Sequence, residues 1–170
     1  MSMKIRKENQ ADSDAIARLN DEAFSSREES KIVEGLRASG NLYLSLVAEE
    51  KGEIVGHIAF SPVVVEGHNL TTLVGLAPMS VNPKFQGKGI GSDLVRRSIE
   101  ILRDQGMTAI FVLGHPGYYP RFGFKPASSH FGIRSTYDVS DDVFMAVELE
   151  DQSLDGINGV ANYCAQFNEK

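Results

Sequence analysis

Cysteine is nearly absent from this sequence: among 170 residues, only Cys164 carries a thiol. A single cysteine cannot form a disulfide within the chain, and such sparse usage is typical of a reducing compartment. Long apolar runs are also missing, since no stretch approaches the roughly 20 residues of a membrane-spanning helix. The segment Met1–Arg6 is not followed by an apolar run, which predicts that there is no signal peptide. These absences predict a cytoplasmic protein without a membrane partner.

Basic residues are outnumbered, with 17 Lys and Arg against 23 Asp and Glu and a formal charge of -6. Because nucleic-acid binding needs a basic face that displaces counterions, this balance argues against a nucleic-acid partner. The sequence also lacks internal repeats, low-complexity segments and long linkers. Its 170 residues, 42% hydrophobic and 24% charged, suit one compact soluble domain with its own core.

Apolar spacing and turn residues predict the order of the secondary structure. A first helix is expected after an N-cap at Asp12 or Ser13, a second over about Glu28–Ala38, and a third from Ile90 to a stop at Gly106. The predicted strands are Lys4–Arg6, Tyr43–Glu49, Ile54–Val65, Thr71–Val81, Thr108–Leu113 and Val143–Leu149.

The connection between two of these strands predicts the fold class. Strand Thr71–Val81, the helix from Ile90 and strand Thr108–Leu113 form a βαβ crossover, so the two strands are expected to be parallel. The strands before them form an antiparallel meander. The expectation is an α+β (mixed α/β) fold, whose mixed, mostly antiparallel sheet carries helices on both faces. A domain over 1–150 is predicted, with 151–170 as an extension that forms a small helix or an edge segment.

Three glycines, Gly87, Gly89 and Gly91, stand where a strand has ended and a helix begins. The first N–H groups of a helix lack intrahelical partners and carry the positive end of the helix dipole, and glycines let a phosphate approach the backbone. Lys88 adds a cation at the same place. A plain glycine-rich connection is the alternative, but glycines at a helix start lower helix propensity. The cluster therefore predicts an anion site.

Two common phosphate-binding patterns do not fit this cluster. The pattern G-x-x-x-x-G-K-[ST] needs a glycine where Asn82 stands and a hydroxyl residue where Gly89 stands. The pattern G-x-G-x-x-G, begun at Gly87, ends on Ser92. Nucleotide hydrolysis and hydride transfer are therefore disfavoured.

The segment Val81–Gly91 resembles the acetyl-CoA signature of the GCN5-related N-acetyltransferase (GNAT) superfamily. That signature has Gln or Arg, two variable residues, Gly, one variable residue, and Gly or Ala, and Gln86, Gly89 and Gly91 fill it. Tyr119, four residues before Gly123, matches a second element, a tyrosine ahead of a Gly-Phe pair. The sequence is similar to the YhbS-like branch of this superfamily, and the resemblance covers about Lys4–Leu149.

The resemblance implies acetyl-CoA as the co-substrate, with no metal, and an N-acetyltransferase acting on a small-molecule or protein amine. Backbone groups of the strand before the glycines would pair with the pantetheine arm, and N–H groups of the turn would hold the pyrophosphate. The implied cofactor-binding residues are Met79, Ser80, Val81, Gln86, Gly87, Lys88, Gly89, Ile90, Gly91 and Ser92. A homodimer is expected by analogy alone.

The acetyl transfer needs an acid for the leaving thiolate, and Tyr119 is the predicted acid because a phenol's pKa of about 10 is close to that of a thiol. Tyr118, its neighbour, is the competing candidate. The base is left unassigned among Glu22, His57, Glu66, His115 and a water chain; His57, within an apolar strand, is interpreted as a core histidine. The alternatives are a non-catalytic acyl-CoA-binding regulatory module and an acyltransferase that uses a larger acyl donor.

Overall fold

The structure is a computed structural model that describes residues 3–168. Its strands are β1 Met3–Lys7, β2 Leu44–Glu50, β3 Glu53–Pro62, β4 Val64–Val65, β5 Leu73–Val81, β6 Ala109–Leu113, β7 Lys125–Pro126, β8 Ile133–Ser135, β9 Phe144–Glu148 and β10 Gly159–Asn162. Its α-helices are α1 Ser13–Phe24, α2 Glu28–Ser39, α3 Ile90–Asp104 and α4 Ala127–Phe131.

The chain folds into two compact units that share three of these elements. The first unit contains the described residues up to Phe60, Ala77–Ser98 and the residues from Ala165 on; the second contains Ser61–Leu76 and Ile99–Cys164. Strands β3 and β5 and helix α3 each begin in one unit and end in the other.

In the first unit, the strand order is β1-β2-β3-β5, and helices lie on both faces of the sheet. Val47 of β2 packs with Ile16 of α1 and Val33 of α2. A Cβ built on Gly56 of β3 would lie 2.9 Å from Ile90 Cγ2 and 3.3 Å from Ala48 Cβ, which places α3 on the opposite face. Since Val47 and Ala48 are consecutive strand residues, they point to opposite faces. The prediction of helices on both faces is confirmed here.

In the second unit, β5 and β6 are parallel, with Leu73–Leu76 opposite Ala109–Val112, as the βαβ connection predicts. Strand β9 pairs with β6 and β7 in antiparallel fashion, so the predicted mixed sheet is confirmed. Beside it stands a small sheet in the order β4-β10-β8. Phe111, Leu73, Ile133 and Ala161 belong to the core of this unit.

Four details of the predicted elements differ from the structure. Strand β3 ends at Pro62 instead of reaching Val65, and β4 at Val64–Val65 belongs to the small sheet. Asp12 occupies the predicted N-cap position of α1, but its carboxylate makes no capping bond to that helix; it accepts from Asn9 N–H and pairs with Arg6. Asn9 caps the preceding 3₁₀ helix, Gln10–Asp12, by accepting from Ala11 N–H. Helix α4 and strands β7 and β8 were not predicted; each has five residues or fewer.

The segment 151–170 contains β10, which is a middle strand rather than the predicted edge segment. It pairs with β4 on one side and β8 on the other. A 3₁₀ helix follows at Ala165–Asn168, and the last two residues of the predicted extension lie outside the described part. A domain boundary near residue 150 stays a prediction.

Candidate active site

The glycine turn, residues 86–92, joins β5 to α3 in the first unit. After β5, Asn82 caps a 3₁₀ helix at Pro83–Phe85 by accepting from Lys84 N–H at 2.9 Å. Gly87 and Gly89 then adopt φ angles of +79° and +84°. A side chain is disfavoured at such angles, so this path of the backbone requires glycine.

Open space surrounds the two glycines of positive φ. A Cβ added at Gly87 or at Gly89 would meet no atom within 4 Å, so packing against the protein is not why these residues are glycine. Asp93 N–H donates to Gly89 O at 3.0 Å, which is the bond that a first full helical turn makes. The preceding N–H groups belong to the helix N-terminus, where an anion is stabilised by the helix dipole.

Side chains of the turn stabilise its conformation and supply a positive charge. Gln86 Nε2 donates to Val81 O at 3.1 Å, which closes the turn onto the end of β5. Lys88 Nζ lies 5.3 Å from the centroid of the Phe85 ring, within cation–π range, and the Lys88 side chain is exposed. Ile90 is buried and packs on β3, while Gly91 and Ser92 lie in the first turn of α3.

The end of β5 directs two backbone N–H groups to one edge. Asn82 N–H donates to Val55 O of β3 at 2.8 Å. The Val81 carbonyl and the Asn82 N–H form one planar trans peptide group, so the carbonyl points away from β3. Residues 77–81 alternate regularly between partly exposed and buried, as residues of an extended strand do. The N–H groups of Val81 and Met79 therefore point to the same edge of β5 as the Val81 carbonyl, away from β3. Ser80 is buried between them, and its hydroxyl has no hydrogen-bond partner within residues 3–168.

Tyr119 belongs to the second unit, where it begins a 3₁₀ helix that spans Tyr119–Phe122. Its side chain is buried at 7% exposure and its ring makes edge contacts with Tyr118 and Phe124. A Cβ built on Gly114, just after β6, would lie 2.9 Å from Tyr119 Cδ2 and still closer to Cε2, so only glycine leaves room for the ring. Burial, and to a lesser degree the neighbouring Tyr118 phenol, raises the pKa of Tyr119 to about 12.

The neighbouring tyrosine has a different environment. Tyr118 is half-exposed, and the guanidinium of Arg121 stacks 4.5 Å from the centre of its ring. Arg121 Nε also donates to the Tyr118 carbonyl at 2.9 Å, so the arginine braces the loop. Tyr119 is thus the buried member of the pair.

The base candidates named from the sequence lie in dissimilar surroundings. His57 has 0% exposure, and its ring contacts Ser45 Oγ at 2.9 Å and Asn20 Nδ2 at 3.3 Å, which confirms a core histidine. Burial lowers its pKa to about 4. Glu22 and His115 are exposed, and exposed Glu66 accepts from Asn162 Nδ2 at 2.8 Å.

Cysteine and metal chemistry find little support in this geometry. Cys164 Sγ donates weakly to Pro62 O at 3.4 Å, and burial raises the pKa of its thiol. Within residues 3–168, no group of three or more His, Cys, Asp and Glu side chains is placed to hold a metal ion.

No helix in this part of the chain is long and apolar enough to cross a membrane. The cytoplasmic location stays a prediction.

Comparison with known proteins gives the family. Residues 4–127 match the model of the acetyltransferase (GNAT) domain. The chain belongs to the GNAT acetyltransferase family. It is 38% identical, over 98% of its own length and 99% of the relative's, to an uncharacterized N-acetyltransferase of Escherichia coli strain K12 named YhbS. The predictions of this family, of its fold and of an acyltransferase of the N-acetyltransferase type are therefore confirmed.

Two solved structures of this family resemble the chain over nearly its whole length. The crystal structure of YhbS from Escherichia coli in complex with CoA has a TM-score of 0.95 and 36% identity, covering 99% of this chain and 93% of that one. A GNAT acetyltransferase from Brucella melitensis, in complex with acetyl-CoA, has a TM-score of 0.82 and 38% identity, with 97% of both chains covered.

The predicted cofactor-binding residues therefore fall together in the first unit, and the predicted acid lies in the second. Sequence reasoning missed two structural contributors. Asn82 caps the turn, and Asn before Pro was a usable signal for that role. Gly114 makes room for Tyr119, and this close approach leaves no local signal in the sequence.

Proposed function

We propose that this GNAT enzyme transfers the acetyl group of acetyl-CoA to a primary amine of a small molecule or a protein. The observation that carries the proposal is the open N-terminus of α3, where Gly87 and Gly89 have positive φ and an added Cβ would meet no atom within 4 Å. Such a cradle of N–H groups suits a pyrophosphate. The CoA and acetyl-CoA complexes of the two similar structures support the same ligand.

In this proposal, the glycine turn and β5 hold different parts of the co-substrate. The N–H groups of residues 86–92 bind the pyrophosphate, with Lys88 as the nearby cation. The N–H groups of Met79 and Val81, on one edge of β5, pair with the pantetheine arm as an added strand would. One of these N–H groups donates to the thioester carbonyl oxygen and stabilises the negative charge that develops there.

Acetyl-CoA supplies an activated acyl group: its carbon–sulfur bond breaks while a carbon–nitrogen bond forms to the amine. The attacking nitrogen must be neutral, and it gives up one proton to solvent when the amide forms. Tyr119 acts on the leaving sulfur. Because burial raises the pKa of Tyr119 to about 12, the hydroxyl stays protonated at neutral pH and donates a hydrogen bond to the departing thiolate. No side chain is assigned as the base.

The test follows free thiol release from acetyl-CoA over a panel of amines, with Tyr119→Phe and Tyr118→Phe as a matched pair. We expect amine-dependent release that falls about 100-fold or more in Tyr119→Phe and changes little in Tyr118→Phe. Equal rates for Tyr119→Phe and the unmodified protein would remove Tyr119 from the mechanism. Stabilisation by acetyl-CoA without release would favour the regulatory module, and faster release from longer acyl-CoA would favour a larger acyl donor.

A further inference from the structure

The proposed acid, Tyr119, lies on a short element between β6 and β7. Tyr119–Phe122 is a 3₁₀ helix, a kind of helix whose hydrogen bonds have poorer geometry than those of an α-helix. Two backbone bonds tie its start to the preceding loop, from Tyr118 N–H and Tyr119 N–H to His115 O at 3.0 and 3.4 Å. Side-chain contacts are therefore important for the position of the Tyr119 ring.

Arg121 supplies such contacts to this segment. Its Nε donates to Tyr118 O at 2.9 Å, and its Nη2 donates to Gly117 O at 3.4 Å. The guanidinium carbon also lies 4.5 Å from the centroid of the Tyr118 ring, within cation–π range. A planar guanidinium can donate to two carbonyls and stack on a ring at the same time, whereas the compact ammonium group of lysine lacks this fork geometry.

The Tyr118 ring connects this arginine with the buried Tyr119. The two tyrosine rings meet edge to face, with centroids 5.1 Å apart and planes at 85°. Exposed Arg121, half-exposed Tyr118 and buried Tyr119 thus form three successive layers from the surface to the interior. Loss of the guanidinium would therefore loosen the Tyr118 ring, and with it one of the contacts that hold the Tyr119 ring.

The direction of the Tyr119 hydroxyl matters because this group donates a hydrogen bond in the proposed reaction. Burial raises the pKa of Tyr119 to about 12, so the hydroxyl is protonated at neutral pH whatever its orientation. Its effect then depends on geometry, and a displacement of about 1 Å can cost about 100-fold in rate.

We infer that Arg121 is a positioning residue for the acetyl transfer, which directs Tyr119 toward the leaving sulfur through the Tyr118 ring. The inference rests on the proposed role of Tyr119, and it adds the residue that orients this tyrosine.

The first experiment measures kcat and KM for Arg121→Ala in the thiol-release assay. We expect kcat to fall about tenfold because the Tyr119 hydroxyl is displaced, while KM for acetyl-CoA stays unchanged. Arg121→Lys keeps the charge but lacks the planar fork, so it should show a similar fall. Unchanged kcat in Arg121→Ala would overturn the inference. Full kcat in Arg121→Lys would assign the effect to charge alone and would also overturn it.

Arg103→Ala is the matched control. Arg103 is another exposed arginine of the second unit, and its Nε donates to a backbone carbonyl, that of Leu149, at 3.1 Å. The two variants should melt within a few degrees of each other, while kcat falls in Arg121→Ala alone. Equal falls in kcat would point to general destabilisation and overturn the inference.

A double-mutant cycle tests whether Arg121 acts through Tyr119. In the Tyr119→Phe background, Arg121→Ala should lower kcat no further, since the hydroxyl that it orients is absent. A second tenfold fall in that background would show that Arg121 acts independently of Tyr119, contrary to the inference.

A spectroscopic measurement separates this inference from the proposed function, because it needs no turnover. In protein carrying ¹³C at tyrosine Cζ, the NMR signal of Tyr119 is identified by its absence in Tyr119→Phe. We expect this signal to shift or broaden in Arg121→Ala and to stay unchanged in Arg103→Ala. If this pattern held but no amine released thiol, the proposed reaction would fail and the contact that orients Tyr119 would stand. An unchanged Tyr119 signal in Arg121→Ala would overturn the inference, whatever the turnover.

Discussion

His57 illustrates how a single residue's surroundings determine its role. Ser45 Oγ–H donates to a Glu8 carboxylate oxygen, so its oxygen lone pair accepts from His57 Nε2–H. The other ring nitrogen, Nδ1, then accepts from Asn20 Nδ2, whose second proton goes to Ile16 O. This directed chain fixes a neutral tautomer, and a histidine so occupied and so weakly basic is a poor general base.

The same burial makes the protein's stability depend on pH. Burial lowers the pKa of His57 from 6.5 to about 4, so the folded state binds fewer protons there than the unfolded state does. Its contribution is complete above pH 6.5 and is lost as the pH falls from 6.5 through about 4, by roughly 3 kcal/mol in total. Urea unfolding between pH 7 and 4 should show this loss.

Two variants isolate the histidine's share of that loss. His57→Gln should remove this component of the pH dependence, although the variant is less stable at neutral pH. His68→Gln alters a histidine outside the core whose ring contacts Asn158 O, and it should keep the full dependence. If His57→Gln and the unmodified protein lost stability in parallel, the neutral core histidine would be the wrong description.

At the scale of elements, the glycine turn can be tested apart from helix stability. Gly89→Ala places a side chain at a φ of +84°, which costs about 1–2 kcal/mol of stability, and its methyl group projects into the open space proposed for the pyrophosphate. We expect the dissociation constant of CoA, measured by calorimetry, to rise about tenfold or more.

Gly106 provides the control from the same helix. It follows the C-terminus of α3, has a φ of +86°, and also has no atom within 4 Å of an added Cβ. Gly106→Ala should therefore cost similar stability while CoA affinity stays unchanged. Equal affinity losses in both variants would mean that strain in α3, rather than blocked access, weakens binding.

Local physics accounts for the elements that the sequence predicted well. Gly40 ends α2 at a φ of +80° and Gly106 follows α3, because helix stops and strand periodicities are encoded within a few residues. The glycine-rich start of α3 was predictable for the same reason, and the anion site assigned to it stays a prediction. The N-cap position of α1 at Asp12 was predicted, but the ion pair of its carboxylate with Arg6 was not, because that contact lies outside the local helix pattern.

The pairing of strands that are distant in the sequence could not be predicted from local patterns. Strand β10 pairs with β4, nearly a hundred residues earlier, and no local pattern in 151–170 distinguishes a middle strand from an edge.

At the scale of the whole molecule, the contacts of the C-terminal segment predict that it stabilises the second unit. Tyr163 fills the space over Gly75, where an added Cβ would lie 2.5 Å from its ring, and its hydroxyl donates to Phe111 O at 3.2 Å. Ala161 of β10 belongs to the core of that unit. A chain ending at residue 158 would expose this core and leave β4 and β8 without their shared neighbour.

Truncation after residue 158 should lower the melting temperature by about 10 °C or more, because roughly 4 kcal/mol is lost when a large core side chain and its cavity are involved. A chain ending at Cys164 keeps β10 and Tyr163 and is the matched control. It should melt within a few degrees of the full chain, since it lacks only the terminal 3₁₀ helix among the described elements. Differential scanning calorimetry of the three chains measures these differences in melting temperature. If the chain ending at 158 melted with the full chain, residues 159–170 would be a trailing extension; a large loss would make them part of the fold.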